Sequence, residues 1–295
     1  MKIQKRSFLA PIADYTNSCF RAMCQRHKAD FAVVPLVSSM AICNSKKETD
    51  LDFLNEKNVG IQLFGNDPKT MRSAIRKIRD RYDVGWFDIN LGCPATAITG
   101  SGCGSALMAN PGKIEEIIRE CRKEDIILSA KSRVFESREK TIGLYGKMEN
   151  AGIDFAIVHG RTPKQGYSGK ADWEMIGEVK QSLEIPVVGN GDIKTASEGM
   201  EKVRGGYCDA FMAARAAMAN PYLFEDREPG PGIEGKRAMF IEYLQICDNM
   251  GKKDLNDIRM KALNFFHGFE KSSAMRESLS SAKSIEKVIE IIGVG

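Results

Sequence analysis

The chain has 295 residues, 43% hydrophobic and 28% charged, with a formal net charge of +4. That composition is ordinary for a soluble globular protein, and the length supports one large core plus a smaller second unit. No apolar run approaches the roughly 18 residues of a membrane span, and the mildly basic balance permits a nucleic-acid partner without demanding one.

From the N-terminus, Met1-Lys2-Ile3-Gln4-Lys5-Arg6 leads into an apolar run that ends at Ala13-Asp14. That is too soon for a signal-peptide core followed by a cleavage site, so a cytoplasmic protein is expected. β-type runs then recur at 8–13, 31–37, 59–64, 86–91, 126–131, 155–159, 186–190 and 210–214. Between them lie segments with helical spacing of apolar residues, among them 68–81, 113–123, 139–151, 173–181 and 196–204. Eight such units predict an α/β fold, a (β/α)8 TIM barrel. A doubly wound open sheet fits less well, because the first strand leads into Pro11-Ile12-Ala13-Asp14 rather than a Gly-x-Gly-x-x-Gly turn.

Arg227-Glu228-Pro229-Gly230-Pro231-Gly232 breaks the chain after the eighth unit. Beyond it the pattern is helical at 239–250, 255–269, 274–282 and 285–292. The expected organisation is a barrel domain over 1–228 and a small C-terminal helical bundle domain over 236–295. The second region carries ten Lys/Arg against eight Asp/Glu, so it is no polybasic tail. The eight Cys include no Cys-x-x-Cys pair, and the three His are far apart, so neither a disulfide framework nor a metal site is expected.

Polar residues gather where the strands finish, the end at which barrels carry their chemistry. These are Gln62; Asn90 and, after Gly92, Cys93; Lys131 and Arg133; His159; Asn190-Gly191-Asp192; and Arg215. Gly191 lets a backbone approach an anion closely, and Arg215 adds a planar fork for phosphate oxygens. A Lys at the end of a buried strand is costly unless it meets an anion, and Lys131 is placed to stabilise a reduced flavin.

With these residues aligned, the chain resembles the tRNA-dihydrouridine synthases over nearly its whole length. The likeness rests on Leu9-Ala10-Pro11-Ile12-Ala13 with Phe20-Arg21, on Asn90-Leu91-Gly92-Cys93-Pro94 with Gly102 to Met108, and on Gly189-Asn190-Gly191-Asp192-Ile193. It is most specific at His159-Gly160-Arg161-Thr162 followed by Gln165, Tyr167, Gly169 and Ala171-Asp172-Trp173. Arg259-Met260-Lys261 and Arg276 resemble the family's C-terminal basic signature.

The resemblance implies an FMN enzyme, re-reduced by NADPH or NADH, that converts uridine in tRNA to dihydrouridine. Cys93 would donate the proton to C5 while hydride reaches C6. An unperturbed thiol is mostly protonated at neutral pH and can donate. Pro11, Gln62, Lys131, His159, Asn190, Gly191, Asp192, Ala214 and Arg215 would hold the cofactor. Asn90, Arg133 and Tyr167 would meet the uracil, and Arg259, Lys261 and Arg276 the tRNA phosphates. No protein partner is evident.

The chain departs from the family pattern at three places. Ala214 stands where a Gly is usual, Ser129 and Ser132 replace apolar neighbours of Lys131, and Cys103 is a second thiol that rivals Cys93. The competing readings are a free-pyrimidine oxidoreductase, which would not need the extra helices, and an RNA-binding barrel that has lost catalysis.

Overall fold

The computed structural model describes residues 6–45, 51–268 and 272–294. Eight parallel strands close into one barrel in chain order. They are β1 Ser7–Leu9, β2 Phe31–Ser38, β3 Val59–Phe64, β4 Trp86–Leu91, β5 Ile127–Arg133, β6 Phe155–His159, β7 Val187–Asn190 and β8 Ala210–Ala213. β8 returns to β1, with Leu9 opposite Ala213, so the sheet has no open edge.

The longer helices packed around the barrel after β1 to β7 begin where the sequence offers a short polar acceptor. Asn17, Ser38, Asp67, Asn110, Ser137, Asp172 and Thr195 each cap a helix by accepting a backbone N–H three residues on. In Pro68–Arg79 the buried residues Met71, Ala74, Ile75 and Ile78 fall on one face, toward the strands.

Alternation along each strand divides the apolar residues into two cores. The outward residues meet the helices in a continuous sleeve. The inward ones, including Phe8, Val33, Trp86, Phe155, Val188 and Met212, plug the barrel. At the N-terminal end Phe8 stacks on Phe31 with ring centroids 4.6 Å apart, and Trp86 meets Phe8 edge-on. Gly60 makes room for Trp86, since a Cβ there would lie 2.4 Å from the indole. The floor is thus aromatic and apolar, which leaves the C-terminal end for polar groups.

Some boundaries differ from the sequence expectation. β1 stops at Leu9 rather than Ala13, because Pro11 has no N–H to donate. Thr16 Oγ1 takes over there, donating to Ala10 O and accepting from Ile12 N. β5 runs two residues further, to Arg133, which pairs with His159. The first C-terminal helix, Gly232–Asn249, starts seven residues before the expected 239, directly after Pro231. The second, Leu255–Phe265, stops short of 269, which lies outside the described residues.

Ser272–Ser281 and Ile285–Ile292 complete the helical region. Two polar clusters fasten it to the barrel. His27, which caps the helix Ser18–Arg26, sits between Glu225 at 2.9 Å and Glu242 at 3.0 Å. Lys261 is fully buried. Its ammonium donates to Asp257 at 2.6 Å and to Tyr15 O at 2.8 Å, and lies 3.8 Å from the Tyr15 ring centroid. Burial lowers its proton affinity, and Asp257 works against that.

The expectation that Lys261 meets a tRNA phosphate is therefore corrected, since the ammonium is spent inside the protein. Lys261→Met would leave Asp257 short of its cation, and should destabilise the fold by about 3–5 kcal/mol. Urea unfolding checks this, and a loss under about 1 kcal/mol would place the pair among ordinary surface ion pairs.

Candidate active site

The strand ends converge on a cavity of about 1160 Å³. Every expected cofactor residue lines it: Pro11, Gln62, Lys131, His159, Asn190, Gly191, Asp192, Ala214 and Arg215. So do Asn90, Cys93, Arg133 and Tyr167. Arg259, Lys261 and Arg276 are not among its lining residues. Seven lining side chains are Lys or Arg and three are Asp or Glu, so the walls favour an anion.

Register explains the convergence. Asn90 lies beside Lys131, Arg133 beside His159, and His159 beside Asn190. The Lys131 side chain makes no hydrogen bond or ion pair with the described residues, and burial pushes its ammonium down to about 8, assisted by Arg133. His159 is pushed down to about 2, first by burial and then by Lys131, Arg133, Arg161 and Arg215. It is therefore a neutral imidazole at physiological pH, a hydrogen-bonding group rather than a cation.

The loop after β7 is built for close approach. Gly191 has φ +141°, and a Cβ there would lie 2.4 Å from the Ala171 methyl, so no other residue fits. Asp192 is held by Arg161 Nη2 at 2.7 and 2.8 Å and by Ala171 N at 2.8 Å. Arg215 reaches the same carboxylate at 3.3 Å while remaining half-exposed. Ala214 has φ −129°, outside the left-handed region, so its replacement of a Gly costs no left-handed strain.

Two arginines hold the loops around the cavity. Arg133 Nε donates to Gly92 O at 2.8 Å, and its Nη1 to Thr162 O at 3.1 Å and Gly166 O at 2.8 Å. It ties the Cys93 loop to the loop after β6, and only Nη2 is left without a hydrogen bond to the described residues. Arg161, absent from the expected site, is almost fully buried and donates to Ser168 O and Gly169 O as well as Asp192. The signal for it was its place at a buried strand end. Tyr167 is exposed at the rim, with the Arg215 and Arg133 guanidinium carbons 5.0 and 5.8 Å from its ring centroid.

Cys93 and Cys103 part company. Cys93 is half-buried and lines the cavity, while Cys103 is buried outside it, with Sγ 3.7 Å from Ser101 O. Gly104, at φ +60°, packs where a Cβ would lie 2.7 Å from Cys93 O, so this segment braces the thiol loop.

Beneath the mouth, Asp88 is fully buried. It accepts from Gln62 Nε2 and Ser129 Oγ, each at 2.6 Å. Burial raises its carboxyl to about 6, against these bonds and Lys131, so it is ionised at neutral pH. Ser129 also accepts from Trp86 Nε1 at 2.9 Å, which gives this departure from an apolar residue a physical reason.

A sequence profile described as Dihydrouridine synthase (Dus) matches residues 8–292. A probable tRNA-dihydrouridine synthase of Aquifex aeolicus is 26% identical, with 96% of this chain and 94% of that one covered. tRNA-dihydrouridine synthase B of Pseudomonas putida is 31% identical over 82% of this chain and 76% of its own. Among solved structures, histamine dehydrogenase from Rhizobium sp. 4-9 shares the fold at TM-score 0.52 and 12% identity, over 82% of this chain and 49% of that one.

The lysine at the centre of the cavity makes a test that needs no ligand. Folded Lys131 binds its proton less tightly than the unfolded chain does. Between about pH 8 and the ordinary lysine value near 10.4 the unfolded state holds more protons, so this group's contribution to stability rises with pH. Lys131→Met should therefore stabilise the ligand-free protein near neutral pH by up to about 3 kcal/mol, and the gain should fade toward pH 10. Denaturant unfolding across that range checks it, and a destabilised variant at neutral pH would contradict it.

Proposed function

The chain belongs to the dihydrouridine synthase family, and from that premise we propose that it reduces the C5–C6 double bond of uridines in tRNA, with FMN as its flavin and NADPH or NADH as reductant. The observation that carries the reading is the meeting of Cys93, Lys131, His159 and the Gly191–Arg215 region in one cationic cavity. The names of its relatives supply the tRNA substrate.

The residues suit a phosphorylated flavin. Gly191 leaves a cradle that a Cβ would fill, and half-exposed Arg215 offers donors beside it. Lys131 supplies a cation with no competing partner among the described residues, and neutral His159 and Gln62 supply hydrogen-bonding edges. Pro11, Asn190, Asp192 and Ala214 complete the same wall. When bound and reduced, FMN supplies the hydride for uracil C6.

The protein's part is to hold the base and deliver the proton. Cys93 Sγ donates to C5 as general acid. Asn90 has a second amide hydrogen beyond the one given to Gln62, and Arg133 has its Nη2, for the polar edge of the base. Tyr167 at the rim stacks on a base turned out of the tRNA, a displacement that costs a few kcal/mol.

The domain reading is a catalytic barrel over 1–228 and a tRNA-gripping helical domain over 236–295, acting in the cytoplasm. Arg276, exposed, and Arg259, partly exposed, are its candidate phosphate contacts. Arg259 also donates to Asn256 at 2.8 Å and to Ala282 O, so its position is fixed in advance.

Two outcomes check the proposal. Cys93→Ala should retain flavin yet slow single-turnover dihydrouridine formation about 10²–10⁴-fold, the usual worth of a positioned acid, while Cys103→Ala changes it little. An inert Cys103→Ala beside an active Cys93→Ala would exchange the two roles. Replacing Arg259 and Arg276 by Ala should weaken tRNA binding and lower its salt dependence by roughly one unit of slope for each phosphate no longer neutralised. An unchanged slope would return both arginines to a solvated helix face.

A further inference from the structure

Behind Gln62 and Asn90 lies a buried carboxylate that the proposed chemistry does not use, joined to both in one line of hydrogen bonds. Asp88 is sealed within the barrel and is not among the cavity's lining residues. An ionised carboxylate can only accept, so Gln62 must turn its Nε2 toward Asp88, 2.6 Å away. That leaves Gln62 Oε1 facing Asn90, whose Nδ2 donates to it at 2.7 Å. Asn90 then has only Oδ1 for its other side, where it accepts from Gly92 N at 3.3 Å and Cys93 N at 3.1 Å. The far end of the line is also fixed, because backbone N–H groups can only donate. The acceptor at one end and the donors at the other agree on one polarity for both amides.

We infer that Asp88 is a positioning residue: it sets the orientation of the Gln62 and Asn90 amides and, through them, the placement of the Cys93 loop. The inference rests on the proposed role of Cys93 as proton donor. Asp88 touches no substrate and transfers no proton. Its effect is that Gly92 and Cys93 have an acceptor in a constant place, so the thiol is presented in one position. Without Asp88, Gln62 is free to turn, Asn90 can turn with it, and an amide NH2 then faces the two backbone N–H groups.

The test uses Asp88→Leu, similar in outline but unable to accept, and Asp88→Asn, which can keep an oxygen toward Gln62 and an NH2 toward Ser129. Hydrogen exchange at the Gly92 and Cys93 amides of the purified protein should speed up by roughly 10-fold or more in Asp88→Leu, with β3 and β6 little changed, and should stay near wild type in Asp88→Asn. Single-turnover dihydrouridine formation should slow by about 10–100-fold in Asp88→Leu with the tRNA KM unaltered, and recover to within about 5-fold in Asp88→Asn. In a Cys93→Ala background, Asp88→Leu should add less than about 2-fold, because the thiol it positions is gone.

If Asp88→Leu does not fold, Asp88→Ala carries the same cycle, since it removes the buried charge and leaves only a small cavity. Equal slowing with and without Cys93, or unchanged exchange at Gly92 and Cys93, would overturn the inference. A wild-type enzyme that forms no dihydrouridine would instead overturn the function, while the exchange result would still decide the role of Asp88.

Discussion

The cavity depends on a cation held without a partner among the described residues. Lys131 stands on an inward position of β5, with its ammonium in a space whose charged lining is mostly positive. Burial weakens its hold on the proton, and neighbouring Arg133 weakens it further. The surrounding structure sustains this arrangement rather than relieving it. His159 stays neutral, and the carboxylate of Asp192 is shared by Arg161 and Arg215. Asp88 lies near enough to Lys131 to favour its charged form, but its own bonds go to Gln62 and Ser129. A site of this kind costs stability when empty and recovers it on binding an anion, which is the expected electrostatics of a pocket for a phosphorylated, reducible ring.

The barrel makes the arrangement possible by separating its interior into levels. Phe8, Trp86 and Phe155 line the N-terminal end with aromatic rings, and Gly60 must lack a side chain to admit Trp86. Above them Ser129 and Asp88 form a polar level with its bonds paired, and above that Gln62, Asn90, Lys131 and His159 open on the cavity. The polar level thus rests on apolar rings with its own hydrogen bonds paired, which fixes the side chains that stand on it. The loops around the mouth are tied by Arg133 through backbone carbonyls and by Arg161 through backbone carbonyls and the Asp192 carboxylate.

Much of this was legible in the sequence. Buried parallel strands read as apolar runs, and β3, β4 and β6 fall where those runs predict them. Polar residues interrupting such runs at their carboxyl ends marked Gln62, Asn90, Lys131 and His159 as cavity residues, because barrel interiors otherwise favour bulky apolar side chains. Other features were hidden for physical reasons. Lys261 reads as an exposed base on an amphipathic helix, but its partners Tyr15 and Asp257 lie 246 and 4 residues away along the chain, and only folding joins all three. Arg133 reads as a ligand group and is largely consumed by carbonyls, and Arg161, which was not expected in the site, also spends donors on carbonyls, which have no sequence signature. The polar level left a trace, since Trp86, Asp88 and Asn90 alternate along β4 and so face inward together, but their order of donors and acceptors required the neighbouring strands.

The central claim is that this cavity couples a reduced flavin to a uracil presented by RNA. The most direct measurement is anaerobic titration of the reduced, FMN-loaded protein with unmodified tRNA, following flavin absorbance and quantifying dihydrouridine in the digested RNA. Reoxidation with one dihydrouridine formed per flavin, and none with free uracil or orotate, is the expected result. Reoxidation by a free pyrimidine with no response to tRNA would make the protein a small-molecule oxidoreductase and contradict the account.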